Sequence, residues 1–374
     1  MKETKTLNFI HYGCHHKANL NSGDTLLFQI VRDLFDSQAD QKINWNLKQI
    51  WDEVTERDID EINNQSDAII IGGGGVFLKD QQGSDANNSG WQWNCKVDLV
   101  AKINVPIIMF AVGYNRFRGQ EEFNQNFSKS LIEISKKSPF FSLRNNGSIE
   151  AIKPYIKNDN IDYSNIFRQF CPTTIINKIP QHANKEKEKV LDKKILSFNA
   201  AFDRTSMRSL NPKKMYNDTC LAIKEAVNRD WQIVACSHKF MDKEIESYLK
   251  KHNINYEARD LTEASPQEII DHYSSVDLSV GMRGHSQLIP FGLNKFIFSF
   301  ISHDKLSFFL EDLNLTDMGS EIDSPRFIND FATFLDKLDQ DPSEILDRLK
   351  QAQNYVWDET LNNFKIIGGV IEHL

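Results

Sequence analysis

The stretch Leu278–Phe300, LSVGMRGHSQLIPFGLNKFIFSF, sets out a strand, a turn, a helix and a second strand without a break. Leu278 and Val280 open a short apolar run of the kind that forms a buried strand, and Gly281 frees the backbone where that run ends. Arg283 and His285 follow, separated by one residue, just as Ser286–Gly292 takes up a short helical pattern. Phe296–Phe300 then reads as the next strand of a parallel sheet. In an open α/β sheet, ligands bind outside the carboxyl ends of the strands, often at a helix N-terminus whose dipole favours anions. A permanent cation and a titratable imidazole at such a place point to a site for an anionic substrate.

The same alternation fills the rest of the chain. Leu7–Tyr12 is expected as the first strand, followed by a polar loop and a helix over about Thr25–Phe35 with Asp24 at its N-cap. A helix near Glu53–Asn64 precedes a buried strand, Ala68–Ile71, which runs into four glycines, Gly72 to Gly75. Pro106–Val112 and Phe140–Leu143 are further strands, with helices over about Glu121–Lys137 and Ser148–Ile156. Strands alternating with helices, with glycines at the strand ends, argue for a parallel α/β sheet covered on both faces. Asn177–Lys194 breaks the pattern: it is rich in Lys, Glu and Gln, contains Pro180, and reads as a domain linker. Beyond it, strands at Ile195–Phe198, Gln232–Ala235 and about Asn255–Glu257 alternate with helices near Lys213–Arg229, Lys243–His252 and Pro266–Ser274. Residues 1–180 and 190–330 are therefore each read as one Rossmann-like domain. Asp341-Pro342-Ser343-Glu344 starts a terminal helix, with a capping Asp, Pro at the first position and Glu at the third. Its apolar face (Ile345, Leu346, Leu349, Ala352, Val356) suits packing of residues 341–374 back onto the first domain.

At 374 residues the chain is too long for one ordinary core, which supports two domains. A formal net charge of −8 argues against general nucleic-acid binding, which needs a broad basic surface; a local cluster of cations would still serve a small anion. No apolar run approaches the length of a membrane span, and the N-terminus MKETKTLNFIHYG lacks the apolar centre of a signal peptide. Five scattered cysteines without a CxxC pair fit a reducing cytoplasm better than a disulfide framework or a structural zinc site.

Several clusters carry chemistry with a plainer rival beside each. The glycines of Ile69–Phe77 (IIIGGGGVF), among them Gly73, Gly74 and Gly75, permit close approach of the backbone to a ligand. They match neither a dinucleotide fingerprint, since Phe77 stands where glycine is required, nor a phosphate-binding P-loop, and a tight turn is the rival. His11, Cys14, His15 and His16 resemble a metal set, but adjacent imidazoles point apart on regular structure and no second cluster matches them; no metal is expected. His303-Asp304-Lys305 follows the strand after Arg283 and would bring a second cation, Lys305, to the same sheet edge. Arg144 ends a strand of the other domain, where it faces the cleft or pairs with an acid. Trp91 and Trp93, in a Gly/Asn/Ser-rich region, are read as exposed rings of the type that stack on sugars, with a loop anchor as the rival.

Together these stretches resemble the polysaccharide pyruvyl transferase family. The family's early N-x-G-D-x-L-L loop is matched by Asn21-Ser22-Gly23-Asp24-Thr25-Leu26-Leu27. Its GGG-x-F strand end is matched within Ile71–Phe77, and its short strand followed by Arg is matched by Phe141-Ser142-Leu143-Arg144. Its V-x-x-R-x-H signature is matched by Val280–His285, with Asp304-Lys305 and Phe308-Phe309 further on. Two positions depart: Gly284 stands where Leu is usual, and Asn294-Lys295 replaces the usual x-Pro; both are expected to bear on the substrate.

The resemblance implies two Rossmann-like domains facing across a cleft, a GT-B-like architecture, with the first on the acceptor side and the second on the donor side. It implies a cofactor-free transfer of a pyruvyl group from phosphoenolpyruvate to two hydroxyls of a sugar, forming a ketal in capsule or exopolysaccharide biosynthesis. The acceptor would be a nucleotide sugar, a polymer or a lipid-linked saccharide, the last requiring peripheral membrane association. Arg283 would then clamp an anionic end of the donor bidentately, with Lys305 as a further counter-charge. His285 would deliver or remove a proton, and Asp24 would orient an acceptor hydroxyl. Asn21, Gly23, Asp24, Gly73–Gly75, Trp91, Trp93 and Arg144 complete the expected substrate-binding set. A GT-B-like glycosyltransferase using a nucleotide sugar, and a non-catalytic carbohydrate-binding member of a capsule-assembly complex, are the alternatives.

Overall fold

The computed structural model describes residues 5–14, 21–79, 85–157, 165–183 and 194–374. Two parallel six-stranded sheets account for the architecture. The first contains β1 (Thr6–Gly13), β2 (Lys42–Gln49), β3 (Ala68–Phe77), β4 (Ile107–Tyr114), β5 (Phe140–Leu143) and β6 (Ile166–Arg168), in the order β2-β1-β3-β4-β5-β6. The second contains β7 (Ile195–Asn199), β8 (Gln232–Ser237), β9 (Glu257–Asp260), β10 (Leu278–Gly281), β11 (Phe296–Ile301) and β12 (Gly319–Glu321), in the order β12-β11-β10-β7-β8-β9.

Each order reverses once. The reversal lies between β1 and β3 in the first sheet and between β7 and β10 in the second. These are the topological switch points where neighbouring crossovers depart to opposite faces and leave a crevice at the strand ends. The central strands are apolar throughout because helices cover both of their faces: AIIIGGGGVF of β3 and IIMFAVGY of β4 are almost wholly buried. The edges are the reverse. β2 (KINWNLKQ) is mostly accessible and β9 (EARD) wholly so.

Several elements differ from the sequence expectation. The edge strands β2, β6 and β12 and two helices, Asp304–Asp312 and Phe327–Gln340, stand outside it, although Ile43, Trp45 and Leu47 of β2 do alternate with polar residues. β3 does not stop at Ile71 but continues through the glycines to Phe77, with positive φ at Gly72 (116°) and Gly74 (84°) and an irregular register against β4. Of the segment read as a linker, Asn177 and Lys178 are the half-buried end of a 3-10 turn, Pro172–Lys178, and residues 184–193 lie outside the described residues. The helix after β1 is Ser22–Gln38, and its N-cap is Asn21, whose side chain accepts from the Gly23 amide at 3.2 Å. Asp24 is therefore not the cap.

The terminal helix, Pro342–Ile371, touches both sheets' layers. Arg348 pairs with Asp317 in the second half, while Phe364 stacks edge-on to Phe35 with ring centroids 5.0 Å apart in the first. Between them Gln353 donates to the carbonyls of Thr174 and Phe291 at 3.3 and 3.0 Å. One apolar core consequently runs from Leu7 and Leu34 through Ile175 to Phe291 and Ile367. A second core, on the other face of the first sheet, holds Ile69, Met109, Leu131 and Ile152.

Candidate functional site

The carboxyl ends of both sheets face one another across a cavity of about 480 Å³, and both switch points open into it. From the first sheet's side come Cys14, Asn21, Asp24, Gly74, Gly75 and Arg144; from the second come Asp203, Arg208, Lys239, Arg283, His285 and Lys305. Arg144, Lys239, Arg283, His285 and Lys305 leave the end of a strand or the first turn of the helix behind it, while Arg208 closes the short helix Thr205–Arg208.

Arg283 follows β10 and is almost fully buried. Its Nε and Nη2 grip Asp242 at 2.7 and 2.5 Å, and Nη2 also lies 3.1 Å from Asp203. Burial alone would weaken the cation, but the two carboxylates hold it protonated far above its usual range. Asp203 is in turn bound by Arg208, which also donates to Ser302 at 3.2 Å. The bidentate edge expected to clamp a donor anion is thus already occupied by protein carboxylate. Arg283 braces the β7–β10 switch point and does not offer a free fork.

Arg144 behaves oppositely. It ends β5, passes over Gly113, where a Cβ would stand 2.2 Å from its Nε, and is only 8% exposed. Among the described residues its Nε and Nη2 have no hydrogen-bond partner. Burial depresses its guanidinium, with Cys171 and Asp24 opposing. A buried guanidinium with two idle donors is costly unless an anion completes it.

Lys305 lies in the first turn of the helix Asp304–Asp312 and reaches across to Asn115 Oδ1 at 3.0 Å. Burial, Arg144 and Arg208 together push its ammonium well below the usual lysine range. Lys239, after β8, is depressed by burial and by Arg283. Phe117, from the loop after β4, lies beneath this group, with Arg204 and Arg208 carbons 4.7 and 5.2 Å from its ring centroid.

His285 starts the helix His285–Gly292 and is 5% exposed. It packs on Gly23, where any Cβ would come within 2.2 Å of it, so the small residue of the early loop admits the imidazole. Its Nδ1 is 3.6 Å from Asp24 Oδ1, and its Nε2 is 3.8 Å from Cys171 Sγ. Burial, Arg144 and Lys305 lower its pKa to about 3, so the imidazole rests neutral at physiological pH. Of the two roles the sequence left open, delivering or removing a proton, the neutral imidazole starts as the acceptor. Asp24, no longer required as a cap, is raised by burial against the pull of Lys239 and Lys305.

Not every expected residue is here. Gly73 backs onto Leu27 rather than lining the cavity. Trp91 and Trp93 are fully buried: Trp91 donates to Ser130 at 3.0 Å and meets Phe77 edge-on, and Trp93 meets Tyr12. The polar residues around them turn inward and satisfy one another, as Asn88 does with Asn94 at 2.7 Å, so a hydrophilic sequence did not mean an exposed one. Neither ring can stack on a sugar without unfolding this loop. Asn294, at φ 57°, and Lys295 stand at the amino end of β11, away from the cavity, so that departure does not touch the site. Gly284 does line it; a Cβ there would meet only Lys305 Cε at 3.9 Å, so glycine leaves space beside that ammonium. His11 is buried with Nε2 2.5 Å from the Gly72 carbonyl oxygen, His15 and His16 lie outside the described residues, and no metal-ligating group of side chains occurs among those described.

Asp203, Asp242, Arg208 and Lys239 were not singled out from the sequence. Strand-end position after β7 and β8 was the available signal, and it does not distinguish a site residue from a loop residue.

Two facing parallel six-stranded sheets define a GT-B-like fold. A Listeria monocytogenes protein assigned as a UDP-N-acetylglucosamine 2-epimerase superimposes with a TM-score of 0.58 at 10% identity, over 99% of this chain and 97% of that one. A further UDP-N-acetylglucosamine 2-epimerase gives 0.51 at 12%, over 97% of both chains. The Neisseria meningitidis UDP-GlcNAc 2-epimerase bound to UDP-GlcNAc gives 0.50 at 10%, over 96% of this chain and 100% of that one. At such identities the likeness is one of fold. No curated protein matches the chain by sequence. The sequence profile of the polysaccharide pyruvyl transferase family, however, matches residues 21–301. The chain belongs to that family, which makes it a transferase of polysaccharide biosynthesis.

Proposed function

We propose that the protein transfers a pyruvyl group from phosphoenolpyruvate to two hydroxyls of one sugar, forming a ketal and releasing phosphate. The observation that carries this reading is the neutral, buried His285 beside two depressed cations, Arg144 and Lys305, in a cleft that falls within the family's matched region. Phosphoenolpyruvate brings a phosphate and a carboxylate. Lys305 and Lys239 suit the phosphate, and its charge would offset their mutual repulsion.

The proton balance fits one residue acting twice. The first hydroxyl bonds to C2 of the enol in the same step in which C3 is protonated: its proton passes through the imidazole of His285 to C3, turning methylene into methyl, so no carbanion forms. The second hydroxyl displaces phosphate from C2, and its proton leaves with the phosphate. Bound anion raises the His285 pKa toward neutrality, because it offsets Arg144 and Lys305. Asp24, 3.6 Å from Nδ1, orients the ring and favours the imidazolium as it forms.

The test is saccharide-dependent phosphate release from phosphoenolpyruvate, with mass spectrometry of the glycan for a pyruvyl adduct. His285→Asn is expected to lower turnover by roughly 10²–10⁴-fold with little change in KM. Near wild-type turnover in that variant removes His285 from the chemistry. Stabilisation by a nucleotide sugar but not by phosphoenolpyruvate would favour glycosyl transfer instead, and stabilisation by neither, with no product, a binding role.

A further inference from the structure

A small chamber of about 10 Å³ adjoins the main cavity, and Arg144, Gly284, Leu288 and Lys305 line both. Its remaining wall is Gln287, Cys171, Leu306, Phe309 and Asn145, whose Oδ1 is taken by the Ser148 amide. Gln287 is 2% exposed, and its Oε1 accepts from the Ser299 hydroxyl, which leaves its Nε2 without a partner. With Arg144 Nε and Nη2, three buried donors on residues that line one chamber have no acceptor among the described residues. Native proteins rarely leave such donors idle, because each costs about 1–3 kcal/mol.

We infer that this chamber is a carboxylate subsite, with Gln287 and Arg144 as its donors. The Nε–Nη2 edge of an arginine matches the two oxygens of a planar carboxylate. The chamber has room for about one oxygen atom, so one carboxylate oxygen enters it towards Gln287 while the other stays on the guanidinium. A phosphate, with three terminal oxygens around a tetrahedral centre, does not fit against Leu288, Leu306 and Phe309. The apolar wall suits instead the short carbon skeleton of a 2-oxo or 2-enol acid. Resting on the pyruvyl-transfer reading, the donor's two charged ends are then separated: carboxylate on Arg144 and Gln287, phosphate towards Lys239. C2 is held between them, on the side of His285.

The test titrates the whole protein with pyruvate and, separately, with inorganic phosphate, by calorimetry and without saccharide. Wild type binds pyruvate; Gln287→Leu weakens it about tenfold and changes phosphate affinity less than twofold. Gln287→Met, closer in shape, serves the same purpose where the leucine variant does not fold. Ser299→Ala removes the same internal hydrogen bond without touching the chamber and leaves pyruvate affinity within about twofold. The subsite is overturned by absence of pyruvate binding in wild type. It is equally overturned by unchanged affinity in the Gln287 variants, by equal weakening of phosphate, or by equal weakening in Ser299→Ala. Pyruvate binding that depends on Gln287, without phosphate release from phosphoenolpyruvate, sinks the transfer reading and leaves the subsite standing. Transfer that proceeds with pyruvate affinity indifferent to Gln287 does the reverse.

Discussion

Arg283 and Arg144 stand at corresponding places, each at the end of a parallel strand and each nearly buried, yet their surroundings are opposite. Arg283 is saturated by Asp242 and Asp203 and held far above its usual pKa, whereas Arg144 has idle donors and is depressed by burial. A buried cation with its acids in place is finished structure, while one without them is waiting for an anion. The second half of the cleft is thus a braced frame around its switch point, and the wall formed by Arg144 is the part left open for a ligand.

Four experiments break or sharpen that contrast. Asp242→Ala should be the most damaging, because it leaves Arg283 buried against only a shared carboxylate; a loss of about 3–5 kcal/mol is expected, measured by denaturant unfolding. A loss below 1 kcal/mol would mean the pair is not the brace. Arg144→Met should do the opposite, leaving stability unchanged or higher while weakening donor affinity on the order of 10²-fold. A destabilised variant with normal donor binding reverses the assignment.

Next comes the response to pH. His238, His272 and His285 are buried and lowered to about 3, 4 and 3, chiefly by burial, against about 6.5 in the unfolded chain. Between pH 6.5 and about 4 the unfolded state binds more protons, so stability falls as pH drops through that window. Each such histidine contributes up to about 1.4 kcal/mol per pH unit. His285→Asn should flatten the fall measured by denaturant midpoints at pH 7 and pH 5, and an unchanged slope would place its titration elsewhere. The smallest effect belongs to Arg118, which joins Asp304 and Glu321 across the cleft at 2.6 and 2.9 Å but is 41% exposed. Arg118→Ala should cost under about 1 kcal/mol, less in high salt; a larger loss would make this contact part of the frame.

Much of the cleft was legible because it sits where chain pattern and chemistry coincide. Arg144, Arg283, His285 and Lys305 each follow an apolar run that could only be a buried strand, and all four reach the cavity. What failed was the inference from composition to exposure. The segment around Trp91 is polar, yet its amides and hydroxyls close on themselves and the rings go inside. Asp24 looked like a cap, but the oxygen that caps is that of Asn21, which frees the Asp24 carboxylate to stand by His285.

The alternation of strand and helix, the parallel sheets and the cations at strand ends could be read along the chain, because these follow from local period and from the chemistry of single residues. Which cation lacks a carboxylate among the described residues came from the folded arrangement alone. That depends on whether a carboxylate some forty residues or more away in the chain, such as Asp242 for Arg283, is delivered to it by another strand. Pairing across a fold is a matter of distance in space, and neither the Arg at Leu143-Arg144 nor the one in Val280–His285 carries any local sign of it.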